Sequence, residues 1–161
     1  MIRLLKIVLV TFVGLQGLFY AIQNIVNLNA CYGAVSAVLT MANHTVYPAH
    51  FGPPVTAHAL IWAAVWIIIA GELLVGILSL IGAFRLFTVI GAAADIFNAA
   101  KTFAILGCGM AIVVWFGFFM AFGGAYFQMW QTAVGQGSLS DAFKFAAISG
   151  VVMIFVNMAD A

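Results

Sequence analysis

Trp62-Ala-Ala-Val-Trp-Ile-Ile-Ile-Ala-Gly-Glu-Leu-Leu-Val-Gly-Ile-Leu78 is an apolar run interrupted by a single carboxyl group, Glu72. With its apolar flanks it is long enough for a helix through a bilayer, whose ~30 Å hydrocarbon core takes about 20 residues. A charged side chain at that depth costs at least a few kcal/mol, so it normally faces a bundle interior and has a partner. Val65, Ile69, Gly76 and Ser79 share the face of Glu72 at helical spacing. Gly76 and Ser79 are small enough to admit another backbone. The remaining segments read as walls and a partner for this helix.

Composition agrees. Hydrophobic residues make up 66% of the 161-residue chain and charged residues 6%, with a mean hydropathy of +1.23. A soluble domain carries roughly 25% charged residues. One membrane-embedded domain over residues 1–161 is the expectation, with helices at about 4–27, 58–83, 98–124 and 141–158. A net charge of +1 without a basic cluster argues against a nucleic-acid partner. Cys31 and Cys108 form no CxxC and fall at different depths, so neither a disulfide nor a redox pair is expected.

Arg3 and Lys6 precede an apolar run that resembles a signal peptide, but bulky Phe19 and Tyr20 stand where a cleavage site needs small residues. The run therefore reads as an uncleaved first span. Gln16, Tyr20, Gln23 and Asn27 recur at helical spacing and are expected to point into the bundle. They serve either as interhelical glue or as a ligand-lining stripe.

Residues 29–57 are the longest polar segment, with a short interfacial or re-entrant helix expected over Gly33 to Ala42. Pro48, Gly52, Pro53 and Pro54 should stop regular structure, and Thr56 is a candidate N-cap. Residues 84–100 read as a short loop, with Asp95 capping the third span. In that span Gly107 with Ala111, and Gly117 with Ala121 and Ala125, are small-residue packing signals. Tyr126, Gln128 and Trp130 mark an aromatic belt at the bilayer edge. Residues 131–140 read as a loop, Ser140 as the cap of the fourth span, and Ala142, Ala146 and Gly150 as its packing face.

Arg3, Lys6, Arg85 and Lys101 fall on one side and Lys144 on the other. The excess of basic residues marks the cytoplasmic side. Both termini are thus expected in the cytoplasm, and the 29–57 and 125–140 loops outside.

Several stretches carry a resemblance together: Met1-Ile-Arg-Leu-Leu-Lys, Tyr47-Pro with Phe51-Gly-Pro, Ala70-Gly-Glu-Leu, Phe97-Asn-Ala-Ala-Lys, Leu106-Gly-Cys-Gly and Gly123-Gly-Ala-Tyr-Phe-Gln-Met-Trp-Gln. The chain resembles, over nearly its whole length, a bacterial family of predicted small integral membrane proteins known only as domain of unknown function 2165. The resemblance implies a four-helix protein of the bacterial inner membrane and brings no catalytic residue.

No hydrolase, zincin or nucleotide-loop motif is present. His44, His50 and His58, with Met41 nearby, are weak metal candidates, because their spacing matches no compact ligand motif. No helix interior holds a histidine for haem, and no cofactor is expected. Glu72 remains, with two kinds of role open. It would carry a proton, hold a cation or bind a quinone head group, or it would be a structural acid bonded to Gln16 or a backbone carbonyl. At about 1.5 Å per residue, Glu72, Gln16 and Ser149 lie roughly 16, 18 and 13 Å from the same membrane edge. Glu72, Gln16, Tyr20, Gln23 and Ser149 are therefore the expected intramembrane polar cluster.

The expected architecture is an all-α four-transmembrane-helix bundle with one longer external loop. The expected role is a small non-catalytic accessory or assembly subunit, its partners being the lipid bilayer and other membrane subunits or further copies of itself. The alternative is a proton- or cation-linked transporter or channel using Glu72, and a membrane-embedded enzyme or redox protein comes third.

Overall fold

The structure, a computed structural model, describes residues 1–47 and 49–160. Pro48, expected to break regular structure, lies outside them. The regular elements of the described chain are all helical: α1 (Ile2–Val26), α2 (Leu28–Leu39), α3 (His58–Thr88), α4 (Ala94–Ala99), α5 (Thr102–Ile112) and α6 (Ala133–Asn157). Between α5 and α6 run a π-helical segment, Val113–Tyr126, and one 3₁₀ turn, Met129–Gln131. Four helical stretches are long and apolar enough to cross a membrane: Ile2–Val26, His58–Thr88, Ala94–Tyr126 and Ala133–Asn157.

Glycine sets how closely these helices approach. A Cβ on Gly17 would lie 2.7 Å from Val75, and one on Gly76 would lie 3.1 Å from Leu18. On the other face of α3, Gly82 meets the Ala104 backbone and Gly107 meets Ser79. With no hydrophobic drive between helices in lipid, such backbone contact is what holds α1, α3 and α5 together. The inward face of α3 is Ile61, Val65, Ile69, Glu72, Val75, Ser79 and Leu86, all buried.

The expected boundaries shift in four places. α3 continues through Phe84-Arg-Leu-Phe-Thr to Thr88, because Leu86 is fully buried and the Arg85 guanidinium stacks 4.2 Å from the Phe103 ring. Residues 84–100 are therefore mostly helix, the rest of the stretch being a turn and α4. Asp95 does not cap the third span: Ala93 occupies the cap of α4, and Asp95 is exposed in its first turn.

The fourth span begins at Ala133, not 141, so residues 131–140 are no loop. Thr132, rather than Ser140, is the cap, its Oγ1 accepting from the Gly135 N–H at 3.0 Å. The short helix after α1 is Leu28–Leu39, not Gly33 to Ala42, with only the bent backbone of Asn27 (φ −110°) between the two helices. Ala57, not Thr56, caps α3.

The Gly117, Ala121 and Ala125 signal does not close onto another helix. Nothing lies within 4 Å of a Cβ on Gly117, and Ala121 and Ala125 are exposed. These residues lie in the π-helical stretch Val113–Tyr126, on a side of it that no other helix covers.

Candidate functional site

Glu72 is 1% exposed. Its Oε2 accepts one hydrogen bond, at 2.8 Å, from Asn24 Nδ2. Its Oε1 is buried without a partner among the described residues. Asn24 is delivered by the inward face of α1: Val10, Gly14, Gly17, Ala21 and Asn24 follow at three- and four-residue steps. The glycines bring α1 against α3 at Val75 and Ser79, and one turn further along the same face presents its amide to the acid.

The carboxyl lines a pocket of about 200 Å³ together with Tyr20, Asn24, Trp115, Ser138 and Asp141. Trp115 is buried between Tyr20 (ring centroids 6.2 Å) and Phe145 (5.4 Å). Tyr20 and Asp141 are exposed, so the pocket opens at the α1–α6 side of the bundle. Asn24, Phe119 and Ser138 also line a neighbouring chamber of about 690 Å³, walled by α2, α3, the π-helical segment and the start of α6. Apolar groups such as Val38, Ile67, Ile68 and Phe118 dominate that wall.

Of the expected polar cluster, the structure brings Glu72 and Tyr20 to one pocket. Gln16 does not reach the acid: Asn24 takes the place expected for it, and the Gln16 amide has no side-chain hydrogen bond among the described residues. Gln23 is exposed and its Oε1 meets only Asn27, at 3.4 Å. The stripe of Gln16, Tyr20, Gln23 and Asn27 is turned one residue, about 100°, from the face that packs, because Gly14, Gly17 and Ala21 decide which side of α1 goes inward. Ser149 is buried in α6, its Oγ has no partner among the described residues, and it does not line the Glu72 pocket.

A second buried polar centre went unread in the sequence. Near the two chain termini, Lys6 Nζ donates to Met158 O (2.6 Å) and Asp160 Oδ2 (2.7 Å). Lys101 Nζ donates to the same carbonyl (2.7 Å), to Asn98 Oδ1 (2.6 Å) and to Asp160 Oδ2 (2.5 Å). Asp160 N–H and Asn98 Nδ2 return bonds of 3.0 and 3.2 Å. Lys6 and Lys101 are 1% and 3% exposed. Burial pushes the Asp160 carboxyl up, but the two ammonium groups outweigh it and hold the acid below the usual aspartate value. Arg3 joins the same end, donating to Ile90 O and Ala92 O and lying 4.6 Å above the Phe97 ring. The sequence signal was Phe97-Asn-Ala-Ala-Lys, which sets Asn98 and Lys101 three residues apart on a helical turn.

The three histidines split. His44 and His50 meet edge to face, centroids 5.8 Å apart, whereas His58 Nδ1 bonds the Tyr32 hydroxyl at 2.9 Å. Burial, then the neighbouring His50, lowers the His44 pKa. No group of three or more His, Cys, Asp or Glu among the described residues could hold a metal ion. In the aromatic belt, Trp130 packs edge to face on Tyr47 (5.2 Å) and Tyr126 on Phe51 (4.9 Å). Gln131 Oε1 accepts from the Val46 and Tyr47 N–H groups, and its amide donates to Gln128 Oε1. Gln128 turns the chain with φ +52°.

Residues 2–159 match one family model, described as "predicted small integral membrane protein (DUF2165)". No curated protein matches the chain, and no solved structure does.

Proposed function

Because the chain belongs to the predicted small integral membrane protein family, we propose that it is a non-catalytic accessory or assembly subunit of a larger complex in the bacterial inner membrane. The observation that carries this reading is the outward placement of polar groups on α1. Gln16 is only partly buried and its amide has no side-chain bonding partner among the described residues, and Gln23 is exposed. Gln16 lies about 21 Å along the helix from Ile2, a depth at which lipid offers an amide no hydrogen bond. A neighbouring transmembrane helix would supply it.

The test is native mass spectrometry of membranes extracted in mild detergent. A stoichiometric hetero-partner is expected, and the pair Gln16→Leu with Gln23→Leu should release it while leaving the bundle folded. A lone monomer, or a homo-oligomer indifferent to that change, overturns the reading.

The transport alternative needs a polar path from Glu72 to both membrane faces. On the side of the chain termini the way is closed by Val10, Val13 and Val75, none more than 4% exposed, which favours the accessory reading. The proposed orientation puts the termini in the cytoplasm, with Arg3, Lys6, Arg85 and Lys101 at that end. Thr45, Ala93 and Gln136 are all exposed, so single cysteines there test it. Outside reagent should label positions 45 and 136 and miss 93, and labelling of 93 alone reverses the orientation.

A further inference from the structure

Glu72 is buried, its Oε2 is satisfied by Asn24, and its Oε1 faces a pocket with nothing to accept from. A buried carboxyl oxygen left unpaired is a standing cost to the fold. The polar groups around the pocket are the acids Glu72 and Asp141, the Tyr20 hydroxyl, Ser138, the Trp115 indole N–H and the Asn24 amide, with no cationic residue in the lining. Lys144, the ion partner of Asp141 at 2.9 Å, is itself exposed. Asn24 spends an N–H on Oε2, and neither the Tyr20 hydroxyl nor the Trp115 indole N–H bonds Oε1. Next to it, and sharing Asn24, Phe119 and Ser138, lies the apolar chamber of about 690 Å³. That is within the ~300–1,000 Å³ range of small-molecule sites, which pair apolar walls with a few convergent polar groups.

We propose that this pair of cavities binds a lipid-soluble amine, its N–H-bearing cationic head on Glu72 Oε1 and its apolar body in the chamber between α2, α3 and the π-helical segment. An ammonium supplies both things Glu72 lacks there, a donor for Oε1 and a positive charge beside the carboxyl. A buried ion pair of this kind holds only when its geometry and its other hydrogen bonds are complete. The Asn24 bond to Oε2 completes the acid's side. The site opens at the α1–α6 side, where exposed Tyr20 and Asp141 form its rim, so the ligand enters sideways from the bilayer.

The test uses the full chain in phosphatidylcholine nanodiscs, titrated with dodecylamine, with its N,N,N-trimethyl analogue, which keeps the charge but has no N–H, and with dodecanol. Binding is read by saturable change in tryptophan emission, Trp115 lining the pocket, and by the shift in Tm. Dodecylamine is expected to saturate and raise Tm, with both analogues at least tenfold weaker. Glu72→Gln is expected to weaken dodecylamine at least tenfold. Ala64→Phe, which fills the chamber away from the acid, should weaken dodecylamine while sparing butylamine. Equal binding of the trimethyl analogue, unchanged affinity in Glu72→Gln, or a signal that never saturates overturns the proposal. Should Glu72→Gln fail to fold, the analogue series and Ala64→Phe decide it alone.

Discussion

Asp160 and Glu72 are both carboxyl groups withdrawn from water, one near the chain termini and one inside the bundle. Asp160 receives two lysine ammonium groups, and its backbone is bonded to Asn98 on both sides. Oδ2 of Asp160, Oδ1 of Asn98 and the Met158 carbonyl all accept from the ammonium groups, and three parts of the chain meet there: α1, the α4–α5 junction and the segment after α6. Glu72 has one neutral donor and one open oxygen beside a cavity. A closed polar centre fastens helices, whereas an open one is unfinished without something from outside. The difference separates a clasp from a receptor among residues that composition alone would group together.

The largest expected effect breaks the closed centre. Asp160→Ala leaves two lysines buried without a counter-charge, and should cost about 3 kcal/mol in detergent unfolding, as the loss of one partner of a buried pair does. Because the folded state holds the Asp160 pKa below 3.8, its stabilisation is complete above roughly pH 4 and is lost as pH falls through the folded value. Tm should therefore stay level from pH 5 to 8 as far as this group is concerned and drop in more acidic buffer, and Asp160→Asn should flatten that acid limb. A wild-type acid limb that Asp160→Asn leaves unchanged would take the clasp role away from Asp160.

Asn24→Ala comes next. It removes the one donor that Glu72 has, and should cost about 2 kcal/mol by the same unfolding assay. A larger loss than Asp160→Ala would invert the comparison. Trp130→Ala removes an edge-to-face contact at a half-buried position and should cost about 1 kcal/mol; an unchanged Tm would show that the Tyr47 contact contributes nothing. Smallest of all, Glu72→Gln keeps an acceptor for Asn24 and should change stability by less than about 0.5 kcal/mol. A substantial loss would show that the open oxygen is engaged in the resting protein.

The spans were legible because the apolar runs leave no other reading, and Glu72 was legible because it is the one charged residue in the 58–83 run and sits near its middle. Its partner was missed by phase. Reading α1 by its polar residues picked the stripe through Gln16, while its small residues put Asn24 inward, a choice that glycine contact made. Residues 131–140 have the glycine, glutamine and serine of a loop, yet they are helical. There Gly135 lets the backbone sit against the Met129 carbonyl, and Leu139 packs on Gly124. Those contacts are tertiary, so local propensity carried no sign of them. Asp160 belongs to no periodic pattern, and in the sequence Lys6 and Lys101 signal only orientation. Their convergence depends on which helix ends meet.

The run Val113–Tyr126 winds with hydrogen bonds between residues five apart, and the bond from Phe127 N–H to Phe122 O, 2.8 Å, continues that pattern at its end. Phe118, Phe119 and Phe122, which wall the chamber, all ride on it. An α-helix bonds each N–H to a carbonyl one residue nearer, so the two windings differ by a single slip per turn. In hydrocarbon a helix cannot fray, since a bare N–H there has nothing to bond. A slip between the two windings rotates the phenylalanines while trading one backbone bond for another. Keeping each N–H paired is therefore the condition that the bilayer sets on the shape of this wall.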